Sequence, residues 1–128
     1  MPNLSFTKII ADDLEAEAAF YVSVFNLKQL DRITMSEPIE VDEIVLGTGK
    51  ETGAALVVVE VPRGEKATKA GMLGFMCTDL DATIGKATAL GAKLTLGPMD
   101  IPNGDGRLAL LDDPEGQIIE IIQQSAPA

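Results

Sequence analysis

Two glutamates interrupt runs that otherwise read as buried β-strands. Val58-Val59-Glu60-Val61 and Ile118-Ile119-Glu120-Ile121 each place one acid among β-branched residues. A carboxylate on the buried face of such a strand is costly unless it is paired or solvated. Lining a polar cavity would make Glu60 and Glu120 candidate catalytic groups: an acid/base pair, a weak site for a divalent cation, or an anchor for a cationic ligand group. Pointing outward to water, or pairing with Lys or Arg at a dimer seam, would make them structural. The chain has no histidine. Ser-His and Cys-His nucleophile pairs are therefore excluded, as are imidazole metal ligands and imidazole proton shuttles. The one cysteine, Cys77, excludes an internal disulfide and reads as a small buried residue. Arg107 follows Gly104-Asp105-Gly106 and is a candidate clamp for a carboxylate or phosphate, with a surface salt bridge as its other reading. Phe6, Leu73 and Phe75 lie on early strands, either as the apolar wall of a ligand pocket or as core. Met99, Ile101, Pro102 and Asn103 precede Arg107 in a stretch that reads as a loop over such a pocket.

The elements that must position these groups come in two similar sets. Asp13-Leu14-Glu15-Ala16 reappears 66 positions later as Asp79-Leu80-Asp81-Ala82. Each copy follows an apolar stretch and opens a helix. Asp12 with Glu15, and Thr78 with Asp81, have the spacing of capping boxes. Leu14, Ala18, Tyr21 and Phe25 recur at helical spacing, as do Leu80, Ile84 and Ala87. Asn26 and Gly91 suit the left-handed conformation that ends a helix. Strands follow at Leu27 to Ile33 and Lys93 to Leu96. Each half closes on its glutamate-bearing run. In the second, Arg107 to Leu111 and the turn Asp112-Asp113-Pro114-Glu115-Gly116 predict a hairpin. Residues 34–53 are harder to read, because Asp42-Glu43 breaks the alternation of an otherwise strand-like stretch.

The expected fold class is α+β: tandem βαβββ modules over residues 1–62 and 71–128, joined by a linker at 63–70. A half of this size has one helix and one apolar sheet face, and needs its twin to complete a core.

Composition sets the partners. Hydrophobic residues make up 46% of the 128-residue chain and charged residues 23%, as in an ordinary globular domain. No apolar run approaches the length of a membrane span, and the N-terminal residues lack a secretory pattern. A cytoplasmic location is the expectation. A formal charge of −10 disfavours nucleic acid and anionic membranes. It would favour a cationic ligand, although keeping the protein in solution is the leading reading of such a charge.

This ordered set resembles the vicinal oxygen chelate superfamily, which includes glyoxalase I, bleomycin-resistance proteins, extradiol dioxygenases and fosfomycin-resistance enzymes. The resemblance rests on Asp13-Leu14 with Phe20-Tyr21, on Asn26-Leu27 after the first helix, on Gly104-Asp105-Gly106-Arg107, and on Asp113-Pro114-Glu115-Gly116 followed by Glu120. It implies the tandem βαβββ plan over essentially the whole chain, with the modules forming a curved mixed sheet around a half-barrel cavity. Members that use a metal place one ligand near the start and one near the end of each module. Glu60 and Glu120 match the two late positions. The early ones fall at about Phe6 and Leu73, which cannot bind a metal. The resemblance thus implies no tightly bound metal and no cofactor, with a weak divalent site at Glu60 and Glu120 left open. The leading reading is a protein that binds a small molecule in the cavity between modules, like the bleomycin-resistance branch. A divergent lyase or isomerase using Glu60 and Glu120, and a non-catalytic interaction module, are the alternatives. Whether it is an enzyme stays open. A homodimer is expected, because Ile9, Ile10, Val24 and Phe25 cannot all face one helix–sheet interface.

Overall fold

The computed structural model describes residues 6–36, 40–49, 55–60, 72–101 and 106–124. The chain divides into two compact units, Met1–Thr68 and Lys69–Ala128. The linker read at 63–70 lies outside the described residues, as do Val61, Pro102 and Asn103.

The first unit contains β1 (Phe6–Ala11), α1 (Leu14–Phe25), β2 (Lys28–Met35), β3 (Val41–Gly47) and β4 (Ala55–Glu60). Its sheet has the order β1-β4-β3-β2, with β1 parallel to β4 and the other pairs antiparallel. The second unit repeats the plan with β5 (Met72–Cys77), α2 (Leu80–Ala89), β6 (Lys93–Asp100), β7 (Gly106–Asp112) and β8 (Ile118–Gln124), in the order β5-β8-β7-β6. Eight strands in two mixed sheets and two helices among the described residues make this the α+β, twice-repeated βαβββ fold that the sequence predicts.

Both helices start one residue later than the capping-box spacing suggests. Asp13 accepts from the Ala16 N–H at 3.1 Å, and Asp79 from the Ala82 N–H at 3.0 Å. These aspartates, not Asp12 and Thr78, satisfy the free amides of the first turn and place an acid at the positive helix end. Asn26 ends α1 in the left-handed conformation, and Gly91 follows α2 with positive φ.

Each helix covers one face of its own sheet. In the first unit that face carries Ile9, Val58 and Ile44, which are in register, with Leu56 and Leu46 two positions along. Tyr21, fully buried, stacks on Phe25 and meets the edge of Phe20. In the second unit the helix side carries Ile119 and Ile121 on β8 with Leu111 and Ala109 on β7, all buried. The Asp42-Glu43 break in β3 is a strand after all. Asp42 faces the helix side and binds Arg32, while Glu43 faces the opposite side and binds Lys8. Alternation is lost because both faces of β3 carry a neutralised acid there.

Candidate functional site

Strand register decides which residues share a surface, because partners across a ladder lie on the same face. Glu60 pairs with Ala11 on one side and Asp42 on the other. Asp42 is held to Arg32, which also binds Glu15 on α1. Glu60 therefore lies on the helix side of its sheet. Glu120 pairs with Gly74 and Leu110, and both neighbours of Glu120 on β8, Ile119 and Ile121, belong to the helix-side core. Glu120 therefore lies on the face away from α2.

The two glutamates are not counterparts, contrary to the equivalence suggested by their similar strands. Ala11 stands two residues before the helix cap Asp13, and Cys77 two before Asp79. Ala11 pairs with Glu60, whereas Cys77 pairs with Gln123. The internal counterpart of Glu60 is Gln123, and that of Glu120 is Val57. The helices repeat at 66 positions but the closing strands at 63, because the loops between differ in length. Gln123 does what a residue in that place can do: its Oε1 accepts from the Leu80 N–H at 2.6 Å, securing the start of α2.

The same register relocates the other candidates. Phe6 is exposed on the side of its sheet away from α1, on the same face as Val57. Its counterpart in the second unit is Met72, not Leu73. Leu73 pairs with Ile119 and Phe75 with Ile121, so both lie on the α2 side. Arg107 pairs with Gln123 on that side as well, and its guanidinium is engaged by Asp81 on α2, with N–O distances of 3.1 and 3.3 Å. This hydrogen-bonded pair holds the Asp81 carboxyl below, and the guanidinium above, their ordinary values. Cys77 also lies on the helix side, where burial pushes its thiol up, away from the reactive thiolate. Met99 belongs to β6 rather than to a loop.

The surface that remains around Glu120 is apolar and rich in methionine. On its own strand Glu120 is flanked at two-residue spacing by Ile118 and Ile122. On β5, Met72 and Met76 stand either side of Gly74. Leu96 pairs with Leu110, and Met99 with Leu108, on the far side. Met72, Met76, Leu96 and Met99 are between 38% and 58% exposed. A side chain added at Gly74 would meet nothing within 4 Å. Among the described residues Glu120 has no ion pair within 4.0 Å. In the first unit the corresponding face carries its own counter-ion, Lys8 to Glu43 at 3.0 Å, with Glu43 buried.

A repeated βαβββ unit with its helix on one sheet face and a chemically distinct open face defines a class of two-module proteins. The chain belongs to the glyoxalase/bleomycin resistance protein/dioxygenase superfamily, whose family model matches residues 3–121. It is 27% identical over 121 residues to a probable lactoylglutathione lyase of Vibrio cholerae, covering 91% of this chain and 87% of that protein. Maize glyoxalase I superposes with a TM-score of 0.82 at 22% identity, over 97% of this chain and 45% of the longer maize chain. The genomically encoded fosfomycin resistance protein of Listeria monocytogenes superposes with a TM-score of 0.74 at 18% identity, over 98% of this chain and 95% of that one.

The metal that some members of this superfamily carry does not fit the residues present. By register, the early and late positions of the two modules are Phe6, Val57, Met72 and Glu120, so three of the four offer no oxygen or nitrogen donor. Among the described residues no three of His, Cys, Asp and Glu are grouped to hold a metal ion. A single carboxylate falls well short of the roughly six oxygens that a hard cation requires. No helix among the described residues is long and apolar enough to cross a membrane.

Proposed function

We propose that this chain is a small-molecule-binding member of its superfamily that works without a tightly bound metal, its ligand resting on the open face around Glu120. The observation that carries this reading is that one carboxylate, without an ion-pair partner among the described residues, sits among exposed methionine and leucine side chains, on the face opposite the packed helix. Ligand sites combine apolar area with a few polar groups that fix orientation, and this face has both. Thermal-shift screening across cationic, neutral and anionic compounds tests it, alongside elemental analysis of protein purified without chelator. Stabilisation by at least one class, with no stoichiometric zinc, nickel or iron, is expected. No stabilising ligand in any class, or one chelator-resistant metal per chain, would refute it.

A lyase is the second reading, favoured by the likeness to the Vibrio cholerae protein along most of both chains. An acid/base pair of Glu60 with Glu120 loses support, since the two occupy different faces of their sheets. An assay for lactoylglutathione lyase activity, with and without added nickel, separates the readings: turnover abolished by Glu120→Gln would favour the lyase. We also propose a homodimer, checked by light scattering: a mass of 13.5 kDa would exclude it.

A further inference from the structure

We infer that the open face of β5-β8-β7-β6 is a site for an organic ammonium compound with an apolar body. The inference rests on the proposed binding role and names the ligand class. Three features of the face converge on it. The first is charge. Glu120 is partly buried between Ile118 and Ile122, and among the described residues no Lys or Arg lies within ion-pair distance of it. Among the described residues the cation on this face is Lys93, which sits at its end opposite Asp112, two strands from β8. A carboxylate so placed attracts a positive group, and a net charge of −10 adds a field of the same sign.

The second feature is space. Gly74 stands directly across from Glu120, and the volume its side chain would occupy is open. An ammonium head can therefore approach the carboxylate along the sheet surface instead of only from above. The third is the surround. Met72, Met76, Leu96 and Met99 form an exposed apolar rim. Methionine is flexible and polarisable, and it moulds itself to ligands of varied shape. A hard metal cation gains nothing from such a rim and lacks further oxygens here. An anion would meet the carboxylate. A neutral apolar molecule would leave Glu120 uncompensated as it was desolvated. An ammonium group on a hydrocarbon body matches both features.

The test uses three probes of similar size, 4-phenylbutylamine, its isostere 4-phenylbutan-1-ol and 4-phenylbutyrate, titrated calorimetrically into the full chain at low and physiological salt. The amine should bind about tenfold tighter than the alcohol, the ratio expected for one charge-assisted contact, and the butyrate weakest. Glu120→Gln should bring amine and alcohol to equal affinity. Gly74→Leu, which fills the open volume, should weaken both while circular dichroism and the melting temperature show an intact fold. Equal binding of amine and alcohol by the unaltered chain would overturn the inference, as would amine binding that survives Glu120→Gln. Absence of amine binding up to millimolar concentration would overturn it too. If the screen above finds a ligand of another class, the binding role stands and only this assignment falls. A second copy of the chain as occupant would show as a doubled mass with no amine binding, which also counts against it.

Discussion

Lys8 and Glu43 meet at 3.0 Å on the open face of the first sheet, and Glu43 is only 7% exposed. On the open face of the second sheet, Glu120 has no such partner among the described residues, and methionines take the flanking positions. Both units share strand order, helix placement and cap chemistry, so the scaffold does not force the difference. One copy has closed its electrostatics internally, while the other has left a charge for something else to meet. Repetition of a fold therefore does not repeat a site, because each strand face is occupied independently of the framework that holds it.

The units also differ in how their helices are anchored, which gives the largest expected effect. Tyr21 is 0% exposed and packs against both Phe20 and Phe25, whereas α2 buries only Leu80, Ile84 and Ala87. Tyr21→Ala should lower unfolding stability by about 3–5 kcal/mol, and Ile84→Ala, at the margin of burial, by about 2 kcal/mol. Urea denaturation followed by far-UV circular dichroism measures both. Equal losses would mean that the aromatic cluster is not the stronger anchor.

The assignment of faces can be broken by a pair of neighbours. Leu73 faces α2 and Met72 faces away, with 53% of its surface exposed. Leu73→Asp should cost roughly 2–4 kcal/mol by putting a charge against the helix, and Met72→Asp less than about 0.5 kcal/mol. The reverse order would invert the faces and move Glu120 under α2. A finer version compares the true counterparts on the closing strands. Gln123→Ala removes the acceptor of the Leu80 N–H and should cost about 1–2 kcal/mol. Glu60→Ala removes no such bond among the described residues and should stay within about 0.5 kcal/mol.

The register that these substitutions probe also marks where sequence reading stops. Helix periodicity, the Asp-Leu repeat and the Asp113-Pro114-Glu115-Gly116 turn were local signals, and the strands and helices follow them closely. Face assignment is not local: a strand's two sides exchange with every one-residue slip in register. Val58-Val59-Glu60-Val61 and Ile118-Ile119-Glu120-Ile121 look alike, yet they stand three positions apart relative to their partner strands. Leu73 in place of Met72 is the same kind of slip, by one residue. Lys8 with Glu43 was invisible because their separation along the chain gives no periodic signal. Gly74 carries no side chain to read, and its meaning depends on which residue lies across from it. The pairing of Arg107 was legible as a possibility but not as an outcome, since its partner Asp81 belongs to the preceding helix.

The smallest effect concerns the two arginines that tie sheets to helices, and it depends on pH. Arg32 holds Asp42 below the ordinary aspartate value, chiefly through their hydrogen bonds, and Arg107 does the same for Asp81. A carboxyl whose folded value is depressed releases its proton more readily in the folded protein. Its contribution is complete above the ordinary aspartate range, near pH 4, and is lost as pH falls through the lower folded value. Both pairs are exposed to solvent, so the contribution is small and screened by salt. The expected outcome is a shallow acid limb in unfolding stability below pH 4 that flattens in Arg107→Gln and flattens further when Arg32→Gln is added. Added salt should flatten it in the unaltered chain. Stability measured by urea titration between pH 2.5 and 6 checks this. The comparison between units sharpens here as well, because each arginine holds down one aspartate, Asp42 in the first unit and Asp81 in the second. Each single variant should therefore remove the share of the slope that belongs to its own aspartate. An unchanged limb in the double variant would assign acid sensitivity to carboxylates other than Asp42 and Asp81.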